Sequence, residues 1–103
     1  MDGYTFAIKE SDLTSGMMKT VRVGTKAIAL AKVGDEVFAI DDTCSHEECS
    51  LGGEGALDGN VVICGCHGGQ FDVTTGKVVA LPPVTDVASY PVKITNGDVM
   101  VKV

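Results

Sequence analysis

The 103-residue chain has no apolar run of membrane-spanning length, no cluster of basic residues and only two histidines. The first absence excludes a transmembrane helix, which needs about 20 consecutive apolar residues. The second argues against nucleic acid and against an anionic membrane surface, because both attract clustered Lys and Arg. The net charge of −6 suits a partner with a basic docking face, or serves solubility alone. The N-terminal Met1-Asp2-Gly3-Tyr4 lacks the basic region and apolar stretch of a secretory signal, so the cytoplasm is the expected compartment. Sustained helical periodicity with caps, internal repeats and low-complexity linkers are absent too.

What is present reads as β-structure in a single domain, 1–103. Tyr4 to Lys9, Thr20 to Val23, Ala27 to Ala31 and Glu36 to Ile40 are rich in β-branched and apolar residues. Ser11-Asp12-Leu13 starts a turn or a single helical turn. Gly34-Asp35 signals a hairpin, and Asn96-Gly97, between Tyr90–Thr95 and Asp98–Val103, signals a stronger one. Short strands with turns between them predict an all-β antiparallel sandwich or open barrel. The stretch from about 41 to 84 differs: it is glycine-rich and carries the reactive residues, with short strands at Asn60 to Ile63 and Gln70 to Val73. It reads as a small subdomain inserted into a β-scaffold of 1–40 and 85–103, with two loops at its tip. In a domain this small, a metal centre adds useful stability.

All four cysteines and both histidines fall between Cys44 and His67. In a cytoplasmic chain, such clustering points to metal or redox chemistry before structural disulfides. Cys44-Ser45-His46 and Cys64-Gly65-Cys66-His67 each offer one thiolate and one imidazole, and the 17 residues between His46 and Cys64 suffice for a hairpin that returns the second loop beside the first. Zinc accepts two Cys and two His in a tetrahedron. A two-iron, two-sulfur cluster also takes two of each, but places both Cys on one iron and both His on the other. Zinc fingers usually draw a like pair from each element. Mixed pairs, Cys-x-His and Cys-x-x-His, suit two facing loops that clamp a flat cluster.

The double motif resembles the Rieske family, whose pattern is Cys-x-His, an intervening hairpin, then Cys-x-x-His-Gly. Cys44, His46, Cys64, His67 and Gly68 match it, and the similarity extends through Phe71-Asp72-Val73-Thr74-Thr75-Gly76 to Leu81-Pro82-Pro83. The resemblance implies one Rieske-type 2Fe–2S cluster held by Cys44 and Cys64 on the inner iron and His46 and His67 on the outer. It also implies that Gly65, Gly68 and Gly69 bring backbone N–H groups to the cluster sulfurs, and that Pro82-Pro83 covers the cluster. Cys49 and Cys66 match positions that form a disulfide between the loops in some members. The alternative is two small thiols packed beside the cluster.

High-potential members donate hydrogen bonds to the cluster from a serine and a tyrosine. The matching residues here are Gly69 and Phe71, neither with a side-chain donor. The expected potential is therefore toward the low end of the roughly −150 to +300 mV that Rieske centres span. Glu47 and Glu48 push the same way.

The functional expectation is a one-electron carrier, monomeric when free, passing electrons between a reductase and an oxygenase or other terminal oxidoreductase. A complete oxygenase would need a second iron site of two His and a carboxylate, and no histidine remains for it. A zinc-stapled interaction module, or a small subunit resembling that of nitrite reductase, is the competing class. Quinol oxidation would call for a membrane anchor and a higher potential.

Overall fold

The computed structural model describes residues 3–42, 50–63, 69–80 and 86–102. The chain runs through β1 (Tyr4–Lys9), a 3-10 turn (Glu10–Asp12), β2 (Met18–Val23), β3 (Lys26–Val33), β4 (Glu36–Asp41), α1 (Leu51–Glu54) and β5 (Ala56–Asp58). It continues through β6 (Val61–Ile63), β7 (Gln70–Asp72), β8 (Val78–Ala80), β9 (Ser89–Tyr90), β10 (Val92–Thr95) and β11 (Asp98–Lys102). These strands form three antiparallel sheets of order β1-β11-β10, β2-β3-β4-β9 and β5-β6-β7-β8. The antiparallel all-β class expected from the sequence is the class found.

The middle sheet is organised by β3. Ile28, Ala29, Leu30 and Ala31 are all fully buried, as in a strand covered on both faces. Successive side chains alternate in direction, so they sort into two cores. Ile28 and Leu30 pack with Leu13, Val23, Val37, Ala39, Val99 and Val101, against the sheet of the two chain ends. Ala29 and Ala31 pack with Ile40, Leu51, Val62, Phe71, Val73 and Val87, against the β5–β8 sheet. The small alanines leave room for Leu51 and Phe71, whose full burial contributes about 1.5–3 kcal/mol each.

Local rules account for the hairpins. Asn96 and Gly97, with φ of 53° and 80°, close the β10–β11 hairpin through two left-handed residues, as the Asn-Gly pair predicts. The run Tyr90 to Thr95 reads as one strand but is divided by Pro91. Its first part pairs with β4 and its second with β11. Proline has no N–H for a ladder, and Pro91 serves only as an acceptor, from Lys102 N–H at 3.1 Å.

The segment before β9 binds two sheets together. Val87 N–H donates to the Gly76 carbonyl at 2.8 Å, and Val78 N–H to Asp86 Oδ1 at 2.8 Å. Gly76 has φ of 80°, and a Cβ there would stand 2.1 Å from the Val87 oxygen. Gly16 has a similar φ of 86° with nothing within 4 Å of an added Cβ. Gly16→Ala therefore carries only the left-handed penalty of about 1–2 kcal/mol. Gly76→Ala is expected to lose a further ~2 kcal/mol or more through overpacking against backbone, measured by urea unfolding. Equal losses for the two variants would show that the strap does not pass that closely.

Candidate metal centre

Three segments of the chain start and end on the β5–β8 side of the molecule, and each has its two ends fastened by the scaffold. The segment 43–49 leaves from Asp42 and returns at Ser50. Leu51 N–H donates to the Asp42 carbonyl at 2.6 Å, which closes its base. Asp42 is buried, so its carboxylate requires a partner. Thr20 Oγ1 donates to Asp42 Oδ1 at 2.8 Å and lies 3.0 Å from Ser50 Oγ. Ser50 Oγ in turn accepts from Gly53 N–H at 2.9 Å and caps α1. One threonine of β2 thus touches both ends of the segment.

The segment 64–68 leaves β6 and returns into β7, with Ile63 paired to Gln70, Val62 to Phe71 and Val61 to Asp72. Gln70 is also paired with Ala80, from which the segment 81–85 departs. The bases of the second and third segments therefore share one residue. The first and second are joined by packing. A Cβ on Gly55, just after α1, would stand 2.4 Å from the Leu51 oxygen and 2.9 Å from Val62 Cγ2. Only glycine allows the helix that follows the first segment to lie this close to the strand that precedes the second.

The predicted residues Cys44, His46, Glu47, Glu48 and Cys49 lie in 43–49. Cys64, Gly65, Cys66, His67 and Gly68 fill 64–68, and Leu81, Pro82, Pro83 and Val84 belong to 81–85. All lie outside the described residues. Gly69 and Phe71 are described, and both are buried; Phe71 sits in the core shared with Leu51 and Val62.

Sequence reasoning missed the polar residues at the loop bases. Asp41, the last residue of β4, accepts from Tyr90 Oη at 2.5 Å through Oδ1 and from Ala88 N–H at 3.2 Å through Oδ2. Its own N–H donates to the Ala88 carbonyl at 2.9 Å. Asp41 and Tyr90 are 49 positions apart, and Thr20 and Asp42 are 22 apart, so no local pattern flags either pair.

Tyr90 is pushed up to about 12, by burial first and then by the hydrogen bond and the negative charge of Asp41. The folded value lies above the ordinary 10, so folding favours the neutral phenol. That contribution is complete below about pH 10 and is lost as pH rises through about 12. Tyr90→Phe is expected to cost about 1–2 kcal/mol at neutral pH, the worth of a hydrogen bond to a partly exposed carboxylate. In urea unfolding the difference from wild type should hold to about pH 10 and shrink between about 10 and 12. A difference independent of pH would show that Asp41 does not hold the hydroxyl.

A family model described as the Rieske [2Fe-2S] domain matches residues 3–91. The ferredoxin component of the naphthalene 1,2-dioxygenase/salicylate 5-hydroxylase systems of a Ralstonia species is 41% identical over 91 residues, covering 88% of this chain and 86% of the relative. The biphenyl dioxygenase ferredoxin subunit of Pseudomonas sp. strain KKS102 is 39% identical over 98 residues, covering 95% and 90%. Among solved structures, the ferredoxin of carbazole 1,9a-dioxygenase from Nocardioides aromaticivorans IC177 matches with a TM-score of 0.91 at 30% identity over 95% of each chain. A chain in a complex of reduced oxygenase and oxidized ferredoxin in carbazole 1,9a-dioxygenase matches at 0.90 and 36% identity, over 99% of this chain and 94% of that one. The two thiol–imidazole pairs fit the cluster that this family holds, and the scaffold fastens the bases of both loops to one core wall. Matched along most of its length by the family model and by ferredoxin relatives, the chain belongs to the Rieske [2Fe-2S] domain family.

Proposed function

We propose that this protein is a one-electron carrier that holds its 2Fe–2S cluster through Cys44, His46, Cys64 and His67 and passes electrons from a reductase to a terminal oxygenase. The observation that carries the reading is the junction at Gly55 and Gln70. It ties the bases of two loops, each bearing two cysteines and one histidine, to the same core. When bound, the cluster supplies a reversible store for a single electron, neutral when oxidised and −1 when reduced. The chain's part is to fix the loop bases so that little structure rearranges as charge is added. The ferredoxin relatives named as dioxygenase components, and the matching chain in an oxygenase–ferredoxin complex, support the oxygenase as acceptor. The same reading makes residues 1–103 one domain, with the cluster-binding region of about 41–84 set into the β-scaffold. It also takes the cytoplasm as the carrier's compartment.

A low potential follows from Gly69 and Phe71. Both positions are buried beside the second loop and neither supplies a hydroxyl to a cluster sulfur. The purified protein is expected to be red-brown, to contain iron and labile sulfide, and to give a rhombic EPR signal after uptake of one electron. A redox titration of the same sample should place the midpoint in the lower half of the Rieske range. His67→Cys should abolish that spectrum. A colourless protein with one zinc and no sulfide would sink the reading, and an unchanged spectrum in His67→Cys would remove His67 from the ligand set.

Cys49 and Cys66 are read as a disulfide between the two loops. Such a bond narrows the unfolded ensemble of the cluster-free chain. The intact mass under denaturing conditions should rise by two hydrogens on strong reduction. An unchanged mass would leave both residues as free thiols.

A further inference from the structure

The first loop is fastened by a side chain that strand pairing alone does not need. The backbone of Asp41 is already held on both sides, by register with Ile28 of β3 and by its N–H bond to the Ala88 carbonyl. Its carboxylate makes two further bonds, from Ala88 N–H and from Tyr90 Oη. Ala88 and Tyr90 belong to the strap whose other end is fixed to Gly76 and Val78. Asp41 is only half-buried. Its two side-chain bonds contribute to folding, and they also fix a carboxylate at the base of the first loop. Asp41 stands three residues before Cys44. The covalent chain alone keeps it within about 11 Å of that ligand's backbone.

We propose that Asp41 and Tyr90 act together to set the reduction potential of the cluster. The Asp41 carboxylate disfavours the extra negative charge of the reduced form, and the Tyr90 hydroxyl offsets part of that charge while holding the carboxylate at the loop base. Tyr90 is a positioning residue: it reaches the cluster only through Asp41. This rests on the reading that Cys44 and His46 bind the cluster. The hydroxyl remains a donor throughout the physiological range, because the phenol is pushed up to about 12. Lys26 Nζ, 5.9 Å from the centre of the Tyr90 ring, adds positive charge beside the phenol.

The test is the midpoint potential and EPR spectrum of the cluster-loaded protein and three variants. Tyr90→Phe uncovers the carboxylate and should lower the potential. Asp41→Asn keeps an acceptor for Ala88 but removes the charge, and should raise it. The double variant should match Asp41→Asn, since the hydroxyl then has no charge to offset. A purely structural role would lower the unfolding midpoint in each variant and leave the potential where it was, which overturns the proposal. Additive shifts in the double variant would overturn the coupling through Asp41. If Asp41→Asn loses its cluster, Tyr90→Phe decides alone: a lower potential supports the proposal and an unchanged one overturns it. A wild-type protein without a Rieske signal would instead overturn the ligand assignment on which it rests.

Discussion

The site depends on a strand buried on both faces. Burial of β3 forces its side chains into two separate cores, and their sizes decide what each core can accept. The larger Ile28 and Leu30 face the sheet of the chain ends, while Ala29 and Ala31 face the β5–β8 sheet. A bulky residue at Ala29 or Ala31 would crowd that core, which also holds Leu51, Val62 and Phe71, all within three residues of a loop segment. Overpacking of this kind costs about 1–3 kcal/mol. It would act on the loop bases from within the core.

The β5–β8 sheet is itself built from three-residue strands. Strands of that length do not stand alone in water. They persist here because the sheet packs on β3 and because its edges are fastened: β5 by Gly55 and α1, β8 by Asp86 and the Val87–Gly76 bond. Backbone partners cost little to preorganise once the middle sheet exists, so the scaffold can present loop ends in fixed positions. With the proposed ligands Cys44, His46, Cys64 and His67, cluster ligation would draw the remaining chain entropy from segments whose ends are already set. Metal binding and folding are coupled in this way whenever ligands come from separate loops.

The family and the outer β-scaffold were legible in the sequence, because both rest on local signals. Asn96-Gly97 specifies its own turn, and Cys-x-His with Cys-x-x-His-Gly is dense with residues that are rare elsewhere in the chain. Ser11 to Leu13 was legible only as a turn or one helical turn, and the structure places the 3-10 turn at Glu10–Asp12. The strands β5 and β8 and the one-turn helix α1 were not legible. At three or four residues they carry too little pattern for any period, and they form because tertiary neighbours complete them. The division of Tyr90–Thr95 at Pro91 was visible in principle, since proline cannot bridge two ladders. The clasps Thr20–Asp42 and Tyr90–Asp41 leave no local signal, because what defines them is the sheet topology that brings distant residues together.

Charge placement joins the fold to the redox chemistry. Eight of the fourteen acidic residues, but only one of the eight basic ones, lie between Asp41 and Asp86. Fixed negative charge there favours approach to a basic surface, and it also opposes an added electron. The two effects do not weigh equally residue by residue. At physiological ionic strength the Debye length is about 8 Å, so an exposed acid such as Asp58 is largely screened from a cluster farther off than that. Asp41 and Asp42 are less exposed, so solvent screens them less, and they are closer in the chain to Cys44, the first proposed ligand. Each also carries a hydroxyl partner from outside the cluster region, Tyr90 for one and Thr20 for the other. Distant acids can thus steer encounter at little redox cost, while the two acids at the loop base are the ones whose charge is partly offset by a hydrogen-bond donor.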